Sequence, residues 1–267
     1  DDKCANISLY KYGYLFKNNN IDIFEKELIW NSEKNCKFEN KTSGARITEK
    51  DGEYFISTGI FQSPKNSGII KENWSQKYNS SFGKIIKIDK DNIPSIYSIG
   101  LRNSQGLFFS NDKKILFGTD HGPRGGDELN IITENSNYGW PCVSYGKMYS
   151  KLINEELNLY PDVNDLDGCD SNITYNSPLY AFADSVGISQ GLYYNSNYFK
   201  NFKDNLIVST LKGKSLYRFV LNEKKNRVIT MEKIPVRSRI RDITVTLEGK
   251  IILTTDKGFL IIIEKNI

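Results

Sequence analysis

The sequence predicts an all-β fold, and three observations carry that prediction. Aromatic residues make up 12% of the 267 residues, with 16 Tyr and 14 Phe, and such residues favour pleated, half-buried strands. One strand pattern recurs along the chain. No segment sustains the 3.6-residue apolar period of a long helix. With 39% hydrophobic and 25% charged residues, the composition is that of an ordinary globular protein, neither disordered nor fibrous.

The recurring pattern is a turn, a short apolar strand, a threonine and a nearby glycine. It occurs at residues 51–59, 112–119, 204–210 and 249–255. Repetition of one strand signature at long spacing is typical of β-propeller blades, and at about 40–50 residues per blade the length allows five or six. No linker divides residues 1–267, so a single propeller domain is predicted. A β-sandwich is the alternative, but it predicts more even strand spacing.

Between the repeats, further strands are predicted over residues 83–88, 191–194 and 215–220, because apolar alternation there ends in polar turns. A turn is predicted over 74–78 and one short helix over 151–159.

Charge and apolar runs exclude some functions. Lys and Arg number 36 against 32 Asp and Glu, a net charge of +4, which is too small an excess to predict nucleic-acid binding. The longest apolar run, Phe259 to Ile263, is far below the roughly 20 residues of a membrane span. The polar start resembles no signal sequence. A soluble chain is expected.

Four cysteines and one histidine make a Cys/His zinc site improbable. Two disulfides in an oxidising compartment and four separate buried thiols both fit an even cysteine count.

The densest chemical cluster is TDHGPRGGDELN at residues 119–130. Its glycines and proline predict a tight loop with inward carbonyls, and Asp120, Asp127 and Glu128 offer the hard oxygen ligands of a calcium site. The commoner alternative is a blade-end loop whose acids cap turns and whose His121 hydrogen-bonds locally.

The second cluster places Arg237, Arg239 and Arg241 at alternate positions before the last repeat. On a strand they share one face, and burial there requires anionic partners, which indicates a ligand with several carboxylates. A solvated strand edge protected by charge is the alternative.

Two further motifs are rejected. GISQG at residues 187–191 matches a serine-hydrolase nucleophile elbow with His121 as base, but that motif needs a following helix, and LYY and an Asn-rich turn follow. The acidic stretch at 162–168 lacks the ligand spacing of an EF-hand and predicts a surface loop.

Three ordered motifs, GLRNSQGL at 100–107, HGPRGGDELN at 121–130 and NYGWP at 137–141, closely resemble the signature of the soluble glucose/sorbosone dehydrogenases. These aldose sugar dehydrogenases use pyrroloquinoline quinone (PQQ) and calcium on a six-bladed propeller. The resemblance continues in STLKG at 209–213 and SRIRD at 238–242. It runs from about residue 40 to the C-terminus, which implies that the first blade is missing or reduced.

The resemblance implies roles for particular residues. The PQQ-binding positions would be Asn103, Lys212, Arg239 and Arg241, and clustered cations suit the three carboxylates of PQQ. A calcium ion that polarises the quinone would bind the main-chain carbonyls of Gly122 and Pro123. A second, structural calcium would be bound by Asp127, Glu128 and Tyr138.

The resemblance also implies a sugar substrate, an external electron acceptor and export to the periplasm or the cell exterior. Export favours disulfides, and their places in the chain predict Cys142 with Cys169 and Cys4 with Cys36. A homodimer is compatible with the sequence.

Two positions depart from the family. Thr42 stands where the family has its general-base histidine, and Ile60 follows Thr58-Gly59 where the family has the acid that orients it. Losing a general base typically costs about 10²–10⁴-fold in rate. Two functions stay open: a PQQ-dependent oxidoreductase acting on the C1 hydroxyl of an aldose with another base, and a catalytically reduced propeller that serves as a binding module.

Overall fold

The computed structural model describes residues 5–18, 20–33, 42–61, 73–147, 169–170 and 172–266. The predicted helix over 151–159 and the predicted Cys4–Cys36 pair lie outside these residues. Within them, regular structure is almost entirely β-strand, as predicted, with two short 3₁₀ helices at Trp74–Gln76 and Lys200–Phe202. The first of these confirms the turn predicted over 74–78. No described helix is both long and apolar enough to cross a membrane.

The strands fall into five sheets in chain order. The first is a hairpin of β1 (Ser8–Lys17) and β2 (Asn20–Asn31). The second sheet contains β3 (Gly44–Lys50), β4 (Glu53–Thr58), β5 (Lys84–Ile88) and β6 (Pro94–Ile99). The third begins with β7 (Ser104–Phe109), β8 (Leu116–Asp120) and β9 (Asp127–Ile132). The short β10 (Ser136–Asn137) joins the second sheet in parallel, and β11 (Tyr180–Phe182) completes the third.

The fourth sheet contains β12 (Ile188–Tyr194), β13 (Asn205–Thr210), β14 (Ser215–Leu221) and β15 (Val228–Pro235). The fifth contains β16 (Ile240–Val245), β17 (Ile251–Thr255) and β18 (Leu260–Ile263). All seven strand segments expected from the sequence overlap an observed strand.

The first strands of the four larger sheets pack beside one another in sequence: β3 against β7, β7 against β12, and β12 against β16. Each of these sheets then proceeds outward by antiparallel pairing of successive strands. This is the arrangement of propeller blades, in which first strands surround a common axis. Five sheets among the described residues are consistent with the predicted five to six blades.

The core lies between adjacent sheets. The third and fourth share one cluster that includes Phe117, Leu129, Ile188 and Phe219, all with no exposed surface. The strand signature is explained by this packing, because the apolar residues of each copy are buried between two blades. The disulfide Cys142–Cys169 is present, which confirms the one predicted pair that lies in the described residues.

The β1–β2 hairpin differs from the other sheets. Its base packs through Trp30 onto Ile56, Ile86 and Ile88, but most of its length is exposed. One face carries apolar side chains with little cover: Tyr10, Tyr12, Tyr14, Phe16, Ile21, Ile23 and Leu28.

Candidate functional site

The glycine-rich loop joins β8 to β9 near the ends of the first strands. It is tight: a Cβ built at Gly122 would lie 2.1 Å from the Gly125 carbonyl oxygen, so no other residue fits there. Nη1 of the buried Arg102 donates to the carbonyls of His121 (3.0 Å) and Gly122 (3.1 Å). The Arg102 guanidinium also lies 5.2 Å from the Trp140 ring centre. The sequence motif contained Arg102, but no sequence signal assigned it this role.

Asp127 anchors this loop to the next sheet. Its side chain is fully buried. Oδ1 accepts a hydrogen bond from the amide of Gly122 at 3.1 Å. Oδ2 accepts hydrogen bonds from three further amides, those of Val186 (2.9 Å), Gly187 (2.6 Å) and Ile188 (3.2 Å). The carboxylate that the resemblance assigned to calcium thus already accepts four backbone hydrogen bonds.

Glu128, the next residue, has a different environment. On β9 it lies opposite Asp120 of β8, and its Oε2 accepts a hydrogen bond from Asn130 Nδ2 at 3.0 Å. Burial, reinforced by the charge of Asp120, raises the pKa of Glu128 to about 8. Burial likewise raises the pKa of Asp120 to about 6, although the hydrogen bonds that its carboxylate accepts from the amides of Arg102 and Asn103 act to lower that pKa.

Asn130 adds a second oxygen beside Glu128. Its Oδ1 is buried without a hydrogen-bond partner, and an unsatisfied buried acceptor indicates a water or an ion. Glu128 and Asn130 therefore fit a cation better than Asp127 does. The hydroxyl of Tyr138 donates to Ile131 O (2.6 Å) and accepts from Thr133 N (2.9 Å), so the structure does not bring that hydroxyl to Glu128. Within the described residues, no three side chains of His, Cys, Asp or Glu are grouped as a metal site.

His121 is held within the loop. Its Nε2 bonds the carbonyl oxygen of Ile188, and its amide donates to Asn103 O at 3.2 Å. Burial lowers the pKa of His121, the charge of Asp127 and the bond to Ile188 oppose this, and the charges of Arg102 and Arg241 add to the lowering. One of its ring nitrogens is therefore occupied by the protein itself.

The two departures from the family are neighbours in space. The carbonyl of Thr42 accepts the amide of Phe61 at 3.3 Å, and Ser43 O accepts the amide of Gly59 at 2.7 Å. Ile60, which lies between Gly59 and Phe61 in the chain, is buried. A Cβ at Gly59 would lie 1.9 Å from Thr42 O, so this close approach requires glycine.

Asn103 links this strand pair to the glycine-rich loop. Its Oδ1 accepts from Gly44 N (3.2 Å) and Gln105 Nε2 (2.9 Å), and its own amide donates to Asp120 Oδ1 at 2.6 Å. Three of the predicted positions, Thr42, Asn103 and the loop at Gly122, are thus connected by hydrogen bonds around the first strands.

The arginine cluster lies at the start of β16. Arg239 Nε donates to Asp256 Oδ2 at 2.6 Å, and Arg241 Nε donates to Asp256 Oδ1. Partial burial acts to raise the pKa of Asp256, but the hydrogen bonds and charges of the two arginines outweigh it and hold that pKa below its usual value. Sequence reasoning missed Asp256, which lies in a turn after the last repeat strand.

Two bonds join the arginine strand to the loop. Ser189 Oγ donates to the Arg241 carbonyl at 2.5 Å, and Ser189 O accepts from Thr119 Oγ1 at 2.7 Å. Lys212 is exposed just after β13, in a turn whose flanking amides donate to Val186 O and Gly187 O. The same two residues donate their amides to Asp127, so Lys212 and the loop share one anchor.

The arginines fit a ligand that carries carboxylates. Their side chains are 45% and 52% exposed, and no terminal nitrogen of either donates to another described residue. Carboxylates bind guanidinium groups with strong charge-assisted hydrogen bonds.

Comparisons with known proteins agree with the fold. A family model described as glucose / sorbosone dehydrogenase matches residues 13–262, so the similarity begins well before residue 40. The aldose sugar dehydrogenase YliI of Escherichia coli is 28% identical over 239 residues, covering 82% of this chain and 58% of that protein. The chain thus spans less than two thirds of that relative's length.

Two solved structures show the same fold. A glucose dehydrogenase superposes with a TM-score of 0.78 at 21% identity, covering 100% of this chain and 79% of that one. The PQQ-bound form of an aldose sugar dehydrogenase from Streptomyces coelicolor superposes with a TM-score of 0.63 at 18% identity, covering 97% and 72%. The fold is therefore the β-propeller of quinoprotein dehydrogenases, and the chain belongs to the glucose/sorbosone dehydrogenase family.

Proposed function

We propose that this protein is a PQQ- and calcium-dependent dehydrogenase of the aldose-sugar type, acting on the C1 hydroxyl of a sugar in the periplasm or outside the cell. The observation that carries the proposal is the half-exposed arginine pair at the start of β16, with Lys212 on the neighbouring sheet. When bound, PQQ supplies the hydride acceptor, and calcium supplies a positive charge that polarises the quinone. An external electron acceptor completes the cycle.

The chain's own residues bind and orient. Arg239, Arg241 and Lys212 offer donors to the ligand's carboxylates. The Oδ1 of Asn103 is engaged by Gly44 and Gln105, and its side-chain nitrogen, which donates to no described residue, can donate to the ligand. The carbonyls of Gly122 and Pro123 remain the proposed calcium ligands, and that of Gly122 already accepts from Arg102. Glu128 and Asn130 are the better candidates for a second cation.

The proposed site lacks the family's general base for removing a proton from the substrate. The C1 hydroxyl must lose its proton, and a general base with a pKa near the working pH provides that step. The hydroxyl of Thr42 offers only a hydrogen bond at neutral pH. The buried Ile60 beside it can orient no imidazole. The alternative function, a catalytically reduced propeller that binds without turnover, is favoured by this pair of residues.

Binding is tested by titrating the purified protein with PQQ in calcium buffer and following the quinone absorbance. Lys212→Ala should weaken binding by about 2 kcal/mol, roughly 30-fold, the low end for truncating one member of a charge pair. Lys224→Ala is the matched control, since Lys224 is an exposed lysine in a turn at the other end of the same sheet. Equal PQQ affinity in wild type and Lys212→Ala would refute this cation site.

Turnover is tested separately by dye reduction with a panel of aldoses. We expect slow wild-type turnover, which Thr42→His combined with Ile60→Asp raises by about 100-fold or more, the usual contribution of a general base. Thr42 has a φ of 57°, a backbone region that histidine tolerates better than a β-branched residue. The double variant should exceed either single one, because base and orienting acid act as a unit. Fast wild-type turnover that survives Thr42→Val would show that another group is the base.

A further inference from the structure

Asp256 lies between the two arginines of the proposed PQQ site. Arg239 immediately precedes β16 and Arg241 is the second residue of that strand, and each donates its Nε–H to a different oxygen of Asp256. The backbone amide of Asp256 also donates to the carbonyl of Arg239 at 3.1 Å. One carboxylate is thereby fixed against both guanidinium groups and against their strand.

The turn that carries Asp256 is itself well held. Thr255 N donates to Phe259 O and Gly258 N donates to Thr255 O, both at 3.0 Å, and Phe259 N donates to Thr255 Oγ1 at 3.1 Å. The carboxylate of Asp256 therefore has a defined position, with its side chain 21% exposed.

Arg239 and Arg241 each use only the Nε–H to bind Asp256, so the terminal nitrogens of both guanidinium groups are available to a ligand. An arginine has five N–H donors in a rigid fork, and Asp256 takes one from each. A contrasting pair occurs on β14 and β15, where Arg218 Nε donates to Glu232 Oε2 at 2.7 Å. There Nη1 of Arg218 also donates to Asn201 O and Asn205 Oδ1. Both Nε and Nη1 of Arg218 therefore bind protein groups. The terminal nitrogens of Arg239 and Arg241 bind no described residue and are available to a ligand.

We propose that Asp256 is a positioning residue that holds the terminal nitrogens of Arg239 and Arg241 ready for a ligand carboxylate. The proposal rests on the proposed function, since PQQ supplies the carboxylate. Its energetic basis is preorganisation: a side chain already fixed in its bound orientation loses less freedom when the ligand arrives. A contrary hypothesis is that Asp256 merely competes with the ligand for the arginines. The two hypotheses predict opposite changes in affinity when the carboxylate is removed.

The binding experiment uses the full chain with calcium and PQQ. Asp256→Asn should weaken PQQ binding by about tenfold through lost preorganisation. Asp256→Glu keeps the charge but displaces it by one methylene, so it should weaken binding too. Glu232→Gln, the matched control at the Arg218 pair, should leave the PQQ affinity unchanged. Unchanged or tighter PQQ binding by Asp256→Asn would overturn the proposal.

A spectroscopic readout needs no PQQ. In the protein without ligand, the Nε–H groups of Arg239 and Arg241 should give slowly exchanging ¹H–¹⁵N signals that disappear in Asp256→Asn. The Arg218 signal should persist in that variant and disappear in Glu232→Gln. Loss of the two signals supports the positioning role even if wild type binds no PQQ, an outcome that would refute the proposed function alone. Retention of both signals in Asp256→Asn would refute the positioning role whatever the PQQ titration shows.

Discussion

Asp127 of the third sheet and Lys84 of the second are both charged side chains with no exposed surface, and the backbone satisfies both. The carboxylate of Asp127 accepts four amides. The ammonium of Lys84 donates to three carbonyls, those of Trp74 (2.6 Å), Ser75 (2.9 Å) and Phe82 (2.8 Å).

The two groups differ in what they join. The amides at Asp127 come from the glycine-rich loop and from residues 186–188, where β12 begins, so Asp127 joins two sheets. The carbonyls at Lys84 all belong to residues 74–82, just before its own strand. This segment in turn contacts Trp140, whose carbonyl accepts hydrogen bonds from Ser75 Oγ and Gln76 Nε2, both at 2.7 Å. Asp127 thus joins elements that carry the proposed ligand site, whereas Lys84 holds the local structure before its own strand.

The largest effect is expected from Asp127→Asn. The new amide group would face N–H donors, and each buried group left unsatisfied costs about 1–3 kcal/mol, so we expect a loss of about 4 kcal/mol in the free energy of unfolding. PQQ affinity should fall as well, because the loop and the Lys212 turn share this anchor. Chemical denaturation and PQQ titration measure the two effects.

Asp89→Asn is the control for this variant. Asp89 lies in an exposed turn and accepts the amides of Asp91 and Ile93, a role that asparagine can keep, so its cost should stay within about 0.5 kcal/mol. A loss below about 1 kcal/mol for Asp127→Asn would contradict the anchoring role.

Lys84→Met should cost less, about 3 kcal/mol, because three buried carbonyls lose their donor while the methionine still fills the space. The folded variant should bind PQQ with wild-type affinity. Loss of PQQ affinity equal to that of Asp127→Asn would erase the distinction between the two regions.

The same variant has a pH signature. Burial lowers the pKa of Lys84 to about 7, against the opposing charge of Glu33, while the unfolded side chain titrates near 10.4. Between these values the unfolded state binds more protons, so wild-type stability gains a term that rises with pH. The stability difference between wild type and Lys84→Met should therefore be larger at pH 9 than at pH 6. A constant difference across that range would show that Lys84 stays charged.

The sequence predicted the strands and the site's motifs more fully than its anchors. Strands could be predicted because each carries a local signature, and the arginines because alternate cations on a strand are visible in a short window. The partners of Asp127 at residues 186–188 lie about sixty residues away, and they come close through the pairing of β11 with β9 and the packing of β12 against β8. Nothing local in the strand that begins at Lys84 marked that lysine as buried, because its acceptors are backbone carbonyls.

The residues that sequence analysis grouped by motif were partly separated by the fold. Asp127 and Glu128 are adjacent in the chain, yet successive strand residues point to opposite faces, so one carboxylate meets four amides and the other meets Asp120 and Asn130. Asp256 was missed because the turn that carries it, fifteen residues beyond Arg241, has no feature that a short window relates to arginines.

The smallest effect is expected at an exposed charge pair that also joins two sheets. Arg46 Nη1 of β3 lies 2.8 Å from Asp242 Oδ2 of β16, with side chains 25% and 43% exposed. Water screens such a pair, and exposed pairs contribute about 0.2–1 kcal/mol. A double-mutant cycle of Arg46→Met and Asp242→Asn should therefore give a coupling energy of about 0.5 kcal/mol, falling as salt rises from about 0.05 to 0.5 M. Arg46 Nε also donates to Gln105 O at 3.2 Å, so Arg46→Met alone should cost more than Asp242→Asn. A salt-independent coupling of several kcal/mol would mean that joining two blades is sufficient for a large effect, and that burial is not what distinguishes Asp127.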